Sequence, residues 1–447
     1  MKCLVLTNPI LSLLLYIWAS PVFAQECGCD HTIPLSVGYN WFGDHVKPGE
    51  TVCLEAGKRN SQLVINNLKG TSENRIIVKN CGGLSSFNVP ADKSFVLKFL
   101  NSSDFILSGD GDEEEKYGIE LSGGVIGLQL TGLTTDFEVK GIHVHDVSFA
   151  GVMAKTDPSC DERTWRGNFV MKNISIHHNL VHHTKGGEGF YVGNSFFAGG
   201  MDKECGKVYP HEVVNLDLYN NRVHDTGAEG IQVGCAVKGC RIYGNYIERT
   251  GLDPFNGRSN QQNGIQLGEG TGGMCYNNIV KDAKGNAIIV LGLGDNMIFN
   301  NILIRPEGAG MFIDERFPST ITGPGSGYRV YNNTIIQPRK HGVWIYAEEV
   351  EKNEVVNNII VAPGSGQYIS HDGCPGLPNV IDSNNLKAFK IGEVGFVNPE
   401  TDDYRLGSDS PAIGYGTDLS DKGVIKDIIE QRRENGRFDA GAFNFNH

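Results

Sequence analysis

The chain has 447 residues, 58 of them glycine, and its 39 lysines and arginines are outnumbered by 52 aspartates and glutamates, for a formal net charge of −13. Glycine at roughly 13%, against an ordinary ~7% and without a G-X-Y period, excludes collagen and points to many turns between short strands. Hydrophobic residues at 40% exclude a disordered acidic chain. The negative charge argues against nucleic acid as a partner and against docking on anionic lipid.

The N-terminus reads as a targeting segment. Lys2 is followed by an apolar run from Leu11 to Trp18 and then by Val22-Phe23-Ala24, with cleavage expected after Ala24. The run is too short to span a membrane comfortably, and no later stretch is apolar enough to do so. The mature chain is therefore expected to be exported, soluble, free of membrane insertion and monomeric. Of 11 cysteines, Cys3 leaves with residues 1–24, and an even number remains, which permits disulfides in an exported chain. Cys235 and Cys240 bracket a short loop and are the favoured pair; Cys160 and Cys205 are placed to staple two long insertions. No paired C-x-x-C spacing supports a metal.

From Asp146 onward an internal repeat dominates. Apolar residues, Asn-Asn or a variant, then more apolar residues recur as IHHNLV (Asn179), LYNNRV (Asn221), IYGNYI (Asn245), CYNNIV (Asn278), IFNNIL (Asn301), VYNNTI (Asn333) and VVNNII (Asn358). The shortest spacings are 23 to 25 residues, and longer ones carry inserted loops. A second phrase, Gly-apolar-x-apolar, follows at Gly189, Gly230, Gly264, Gly310 and Gly342. Each repeat holds two or three short strands of period two and has no room for a helix of normal length. The L-x-x-L-x-L phrase of leucine-rich repeats is absent. A solenoid of short strands follows, in which stacked turns share a core that no turn can bury alone. The asparagines read as scaffold: stacked at a corner they bond one another and the backbone, and Asn tolerates the left-handed conformation. Thr184, Thr226 and Thr250 form a similar short ladder.

These repeats resemble the right-handed parallel β-helix proteins of the pectin lyase-like class. GTSENRIIVKNCGG (Gly70 to Gly83) resembles their early coils. GFVNPETDDYRLGSDSPAIGYG (Gly395 to Gly416) with DAGAF (Asp439 to Phe443) resembles the tail that closes many of them. The resemblance implies an all-β, right-handed parallel β-helix with loop insertions and a C-terminal capping tail. It places the chain among polysaccharide lyases, glycoside hydrolases, esterases and non-catalytic phage or surface proteins, and fold analogy does not choose among them. One domain is expected over 25–447: a cap and early coils over 25–115, regular coils over 116–365, and a final coil and tail over 366–447. Val424 to Asn435 is expected to form a short helix stopped by Gly436, and the tail to cover the open coil end.

Alternation in the Gly phrase turns Val152, Phe190, Ile231, Ile265, Ile288, Met311 and Val343 inward. It leaves Met153, Tyr191, Gln232, Gln266, Ile289, Phe312 and Trp344 outward. The residues before each Gly, including Glu188, Glu229 and Asn263, are expected to face out, as is a column with Lys155, Asp314 and Tyr346. Aromatic rings beside amides and carboxylates suit sugars. Tyr191, Gln232, Gln266, Phe312, Trp344 and Lys185 are therefore candidate substrate-binding residues; the alternative is that insertions pack over the aromatics. Insertions over 156–167, 194–212 and 252–260 would wall one side of a groove.

Glu188 and Glu229 hold the same position in successive turns, about 4.8 Å apart, where mutual repulsion keeps a proton on one of them. Retaining glycosidases place two carboxyls about 5–5.5 Å apart, so an acid and nucleophile pair fits. With Asn263 the same pair could hold calcium, or it could be a solvated ladder. β-Elimination of a uronate polymer instead needs a cation on the carboxylate and a base. Lys155, Lys185, Arg249 and Arg316 are candidates, and Asp314 stands beside Arg316 in an Asp-Glu-Arg run. His182, His183 and His224 fall in register and offer a general base, a hydrogen-bonded ladder or a zinc site, the last without the support of a helical H-E-x-x-H spacing. Two readings result: an exported polysaccharide-cleaving enzyme, lyase or hydrolase, and a non-catalytic glycan-binding or surface structural protein.

Overall fold

The computed structural model describes residues 27–315, 325–433 and 438–445. The expected targeting segment and Arg316 lie outside the described residues. Among those described, no helix is long and apolar enough to cross a membrane.

From His31 to Ala388 the chain winds as a right-handed parallel β-helix. One turn runs through Glu212–Tyr219, Arg222–Thr226 and Ile231–Val233, and Ala236–Tyr243 begins the next. Each of these three strands stacks on its counterpart in the next turn, which gives the helix three walls. The third wall, to which Ile231–Val233 belongs, is a parallel sheet of 12 strands among the described residues, one per turn. Its inner column pairs Val152, Phe190, Ile231, Ile265, Ile288, Met311 and Val343 in unbroken register. All seven are fully buried in a core that continues from Ile33 to Ile360. The recurring glycine of the Gly phrase is fixed by closeness to the next turn. A Cβ on Gly189 would lie 2.6 Å from the Gly230 carbonyl, and one on Gly310 2.6 Å from that of Gly342.

The corner between the first and second walls explains the doubled asparagines. The first of each pair, such as Asn220, Asn277 and Asn300, adopts a left-handed backbone (φ 51°, 54° and 53°). The second is buried and donates its amide to its counterpart one turn on. Asn179 to Asn221, Asn221 to Asn245, Asn245 to Asn278 and Asn278 to Asn301 span 2.9–3.0 Å, and the ladder continues to Asn385. Thr184, Thr226 and Thr250 are also buried in a column, but Thr184 and Thr226 donate to the carbonyls of Gly187 and Ala228, 2.8 Å away, rather than to each other.

The tail departs from expectation in two ways. No helix forms over the described part of Val424 to Asn435; the chain turns back there, with Lys426 bridging Arg432. The polar positions Asp427 and Arg433 explain this: the Asp427 carboxylate accepts the Ile429 and Gln431 N–H groups. Buried Arg433 donates to Asn300 Oδ1 and the Gly441 carbonyl. Nor does the tail stop at the coil end. It lies along the second wall, where Val394, Phe396, Tyr404 and Leu406 pack on Ile302, Ile304, Ile336 and Ile359. The left-handed asparagines tie it down, Asn300 Nδ2 to the Lys426 carbonyl and Asn332 Nδ2 to that of Asp439.

Three disulfides join Cys27 to Cys81, Cys29 to Cys53 and, as expected, Cys160 to Cys205. Cys235 and Cys240 do not pair. The Cys235 thiol turns toward the insertion and donates to the Asn194 carbonyl, 3.0 Å away, whereas Cys240 joins the inner column opposite Leu216. Burial pushes both thiols up to about 12.

Replacing Asn278 by Ala strands ladder partners on both sides and should cost about 2–4 kcal/mol, read as a lowered denaturation midpoint. Asn277→Gly keeps the left-handed corner accessible and should cost less than about 1 kcal/mol. Equal losses would contradict the separate roles of the two asparagines.

Candidate functional site

The outer column of the third wall is in the expected register: Met153, Tyr191, Gln232, Gln266, Ile289, Phe312 and Trp344 pair in sequence. Its exposure differs along its length. Phe312, Trp344 and Tyr346 form an aromatic shelf with centroids 5.0–5.4 Å apart. The Trp344 Nε1–H and the Tyr346 hydroxyl both donate to the Asp372 carbonyl, at 2.9 and 2.6 Å. Between this shelf and the insertions lies a cleft of about 160 Å³, lined by Ser195, Gln232, Gln266, Asn260, Ile289 and Leu291 among others.

At the other end the column is roofed. Tyr191 and Gln232 are buried, and Glu188 and Glu229, expected on a solvated face, are only 3% and 0% exposed. The cause is the three insertions. The Cys160–Cys205 disulfide ties the first two together, and Arg166 donates to the Phe197 carbonyl and lies 4.0 Å from the Phe197 ring centroid. Phe255 of the third insertion packs on Phe149 at 6.3 Å. Beneath them, the Lys155 ammonium sits 2.9 Å from Asp157 Oδ1 and 4.5 Å from the Tyr191 centroid. The Tyr191 hydroxyl and Gln232 Nε2 both meet Ser195 Oγ, at 2.9 and 2.8 Å.

Glu188 and Glu229 extend a second ladder. Asn286 Nδ2 donates to Asn263 Oδ1 at 3.0 Å, and Asn263 Nδ2 donates to Glu229 Oε1 at 3.2 Å. The Oε2 atom of each glutamate has no hydrogen-bond partner among the described residues. Burial pushes the Glu188 carboxyl up to about 7 against the pull of its own backbone N–H and of Lys155. It pushes Glu229 up to about 8, with Glu188 adding to the rise. Burial disfavours the Lys155 ammonium, but Tyr191, Asp157 and Glu188 outweigh it and hold its pKa above the ordinary lysine value.

This arrangement does not fit calcium, which takes six to eight oxygens. Asn263 offers Glu229 its NH₂ group, while its oxygen accepts the Asn286 backbone N–H at 3.1 Å. The other candidates are scattered. Lys185 is exposed three residues before Glu188. Arg249 is committed to Asp225 through two 2.7 Å bonds. Asp314 lies three turns, about 14 Å, beyond the turn of Glu229. Its carbonyl accepts the Tyr328 hydroxyl, and the neighbouring Glu315 carboxylate accepts the Val350 N–H, so Asp314 and Glu315 anchor a turn rather than joining the acid pair.

Ser195 and Asp157 were missed because they lie in insertions, outside the repeat that carries facing information. On the second wall His182 and His224 pair in register as expected, with rings 4.7 Å apart, but His143 and His145 also belong to this cluster. Burial and the neighbouring imidazoles push His182 down to about 4.

Folding raises both glutamate pKa values above 4.5, so the folded chain holds more protons than the unfolded one. The pair's effect on stability therefore worsens as pH rises from about 4.5 to about 8 and then levels off. Glu188→Gln or Glu229→Gln removes that penalty, so each variant's Tm relative to wild type should be about 1–3 °C higher at pH 8 than at pH 5. A difference independent of pH would contradict a buried, protonated pair.

The family model described as "right handed beta helix region" matches residues 208–386. Among curated proteins none matches the chain significantly. Among solved structures, the pectate lyase Pel9A is 14% identical, with a TM-score of 0.51 over 90% of this chain and 89% of that one. The GH136 lacto-N-biosidase from Eubacterium ramulus is 11% identical, with a TM-score of 0.44 over 80% and 68%. At 14% identity the likeness to the pectate lyase is one of fold alone, and the chain folds as a right-handed parallel β-helix.

Proposed function

We propose that the protein is an exported carbohydrate-active enzyme that lays a polysaccharide along the outer column of the third wall and hydrolyses it with the Glu188–Glu229 pair. The observation that carries this reading is the pair itself: two register-mated carboxyls, raised in pKa, beside an ammonium and a phenol. A carboxyl that keeps its proton near neutrality can deliver it to a glycosidic oxygen, while its partner, once ionised, serves as nucleophile or base. The Lys155 ammonium holds the negative charge that develops nearby. Gln232 and Gln266 offer amides to hydroxyls, Phe312 and Trp344 offer ring faces to a pyranose, and exposed Lys185 offers a cation to an acidic sugar. Both carboxyls are roofed, so the polysaccharide must lift the 252–260 insertion off Phe149 to reach them. The three disulfides support export, and the protein acts as a monomer.

The complete burial of the pair favours a second reading, a non-catalytic glycan-binding protein that uses only the aromatic shelf and the open cleft. Incubation with a panel of polysaccharides, with and without a chelator, separates these. New reducing ends alone mean hydrolysis, and unsaturated ends mean β-elimination with Lys155 on the uronate. Binding without cleavage supports the second reading. Under hydrolysis, Glu188→Gln and Glu229→Gln should each lower kcat at least about 100-fold, whereas Trp344→Ala should raise KM with little change in kcat. Full activity in both glutamine variants would remove the pair from catalysis.

A further inference from the structure

The second wall carries a cluster that the third-wall reading does not use. Two outer columns run along it. One reads Glu120, His143, Leu180, Arg222, Tyr246, and the other Ser122, His145, His182, His224, Glu248. Further on, the same columns become Ile279 and Ile302, and Lys281, Ile304 and Ile336, where the tail packs over them. The histidines therefore occupy the stretch that the tail leaves uncovered.

Their pairing departs from the local rule in one turn. Each ladder histidine contacts the left-handed residue that follows it: His145 Nδ1 lies 2.7 Å from Asp146 Oδ2, and His224 Nδ1 2.7 Å from Asp225 Oδ2. In the turn between them the corner position is His183 (φ 52°), and His182 Nδ1 faces His183 Nδ1 at 2.6 Å. Two ring nitrogens meet where the neighbouring turns place nitrogen against carboxylate. One nitrogen from each of His182, His183 and His224 lies within 4.8 Å of the others. On its far side His182 Nε2 is 2.8 Å from His143 Nε2, and the Glu120 carboxylate lies 3.3 Å from His145 Nε2 and 3.8 Å from His143 Nδ1.

We propose that His182, His183 and His224 form a binding site for a zinc-class divalent cation, with His143 and Glu120 as the positioning shell behind His182. Imidazole nitrogens suit zinc, copper and nickel rather than calcium or magnesium. Ligands at about 2.05 Å in tetrahedral array stand about 3.3 Å apart, so the His182–His183 contact has to open by less than 1 Å to admit the ion. Three protein ligands leave one position for water or a ligand oxygen. A second partner on a ligand imidazole, here His143 on His182 and Asp225 on His224, is what orients such a ring. A cleft of about 670 Å³ lined by Lys116, Tyr117, Lys140, Arg222 and Tyr246 adjoins the cluster, and Tyr117 lies 6.1 Å from His143. His183 is exposed, so an ion held here would face an open surface.

The test uses the full mature chain and zinc chloride alone. Equilibrium dialysis with metal analysis and calorimetry should give one zinc per chain, and the cobalt-loaded protein should show the visible absorption of a tetrahedral site. His182→Gln and His183→Gln should abolish both signals while far-UV circular dichroism stays unchanged. His143→Gln should weaken zinc binding about 10–100-fold. Failure of wild-type protein to bind zinc, or undiminished binding by the His182→Gln/His183→Gln double variant, would overturn the proposal. No step depends on glycan cleavage, so this result stands or falls apart from the third-wall reading.

Discussion

The structure depends on register between turns. Parallel backbone ladders allow neighbouring strands to slip, and a slip of one residue would turn every inner side chain outward. The buried asparagine column prevents it: each amide reaches one particular oxygen one turn away, and each oxygen also accepts the backbone N–H of the preceding turn's Asn, as Asn301 Oδ1 does from Asn278 at 3.0 Å. With register locked, a residue's position in its repeat fixes its wall and its face, and loop insertions leave the stack undisturbed.

The same corner chemistry has opposite consequences in two places. Along Asn179 to Asn385 every link pairs a donor with an acceptor, so a buried polar column is stabilising. In the column before the Gly phrase, Asn286 and Asn263 begin such a ladder, but Glu229 and Glu188 end it with Oε2 atoms that lack partners among the described residues. The Asn179 to Asn385 column satisfies each of its amide links, whereas the two carboxyls carry this cost where the insertions converge. Unsatisfied buried groups of this kind concentrate at sites of function.

The columns were legible in the sequence because period-two alternation is a direct consequence of strand geometry, and the inner and outer residues from Val152 to Trp344 fall where the pattern puts them. The asparagine ladder was legible from the recurrence of its phrase, because stacked turns bring like positions of successive repeats together. Burial of Glu188 and Glu229 was not, since the roof is built by insertions with no period, held by Arg166, Phe255 and a disulfide whose contacts are long-range. The missing Cys235–Cys240 bond has a similar origin: short spacing suggested proximity, but alternation sends the two thiols to different sides of the wall. His143 and His145 escaped notice because their turn lacks the Asn-Asn phrase that marks the later repeats. The tail's path was hidden too, although the change of the second-wall columns from His and Arg to Ile was its trace in the sequence.

Register, on this account, concentrates recognition on one outer column of the third wall. The most direct measurement is a crystal structure of the protein with a bound oligosaccharide from a polysaccharide that it cleaves or binds. Sugar rings should follow Gln232, Gln266, Phe312 and Trp344, one or more turns of the helix per ring, with the 252–260 insertion displaced from Phe149. Sugar bound instead in the cleft between Lys116 and Arg222, with the third wall unoccupied and its roof closed, would contradict this placement.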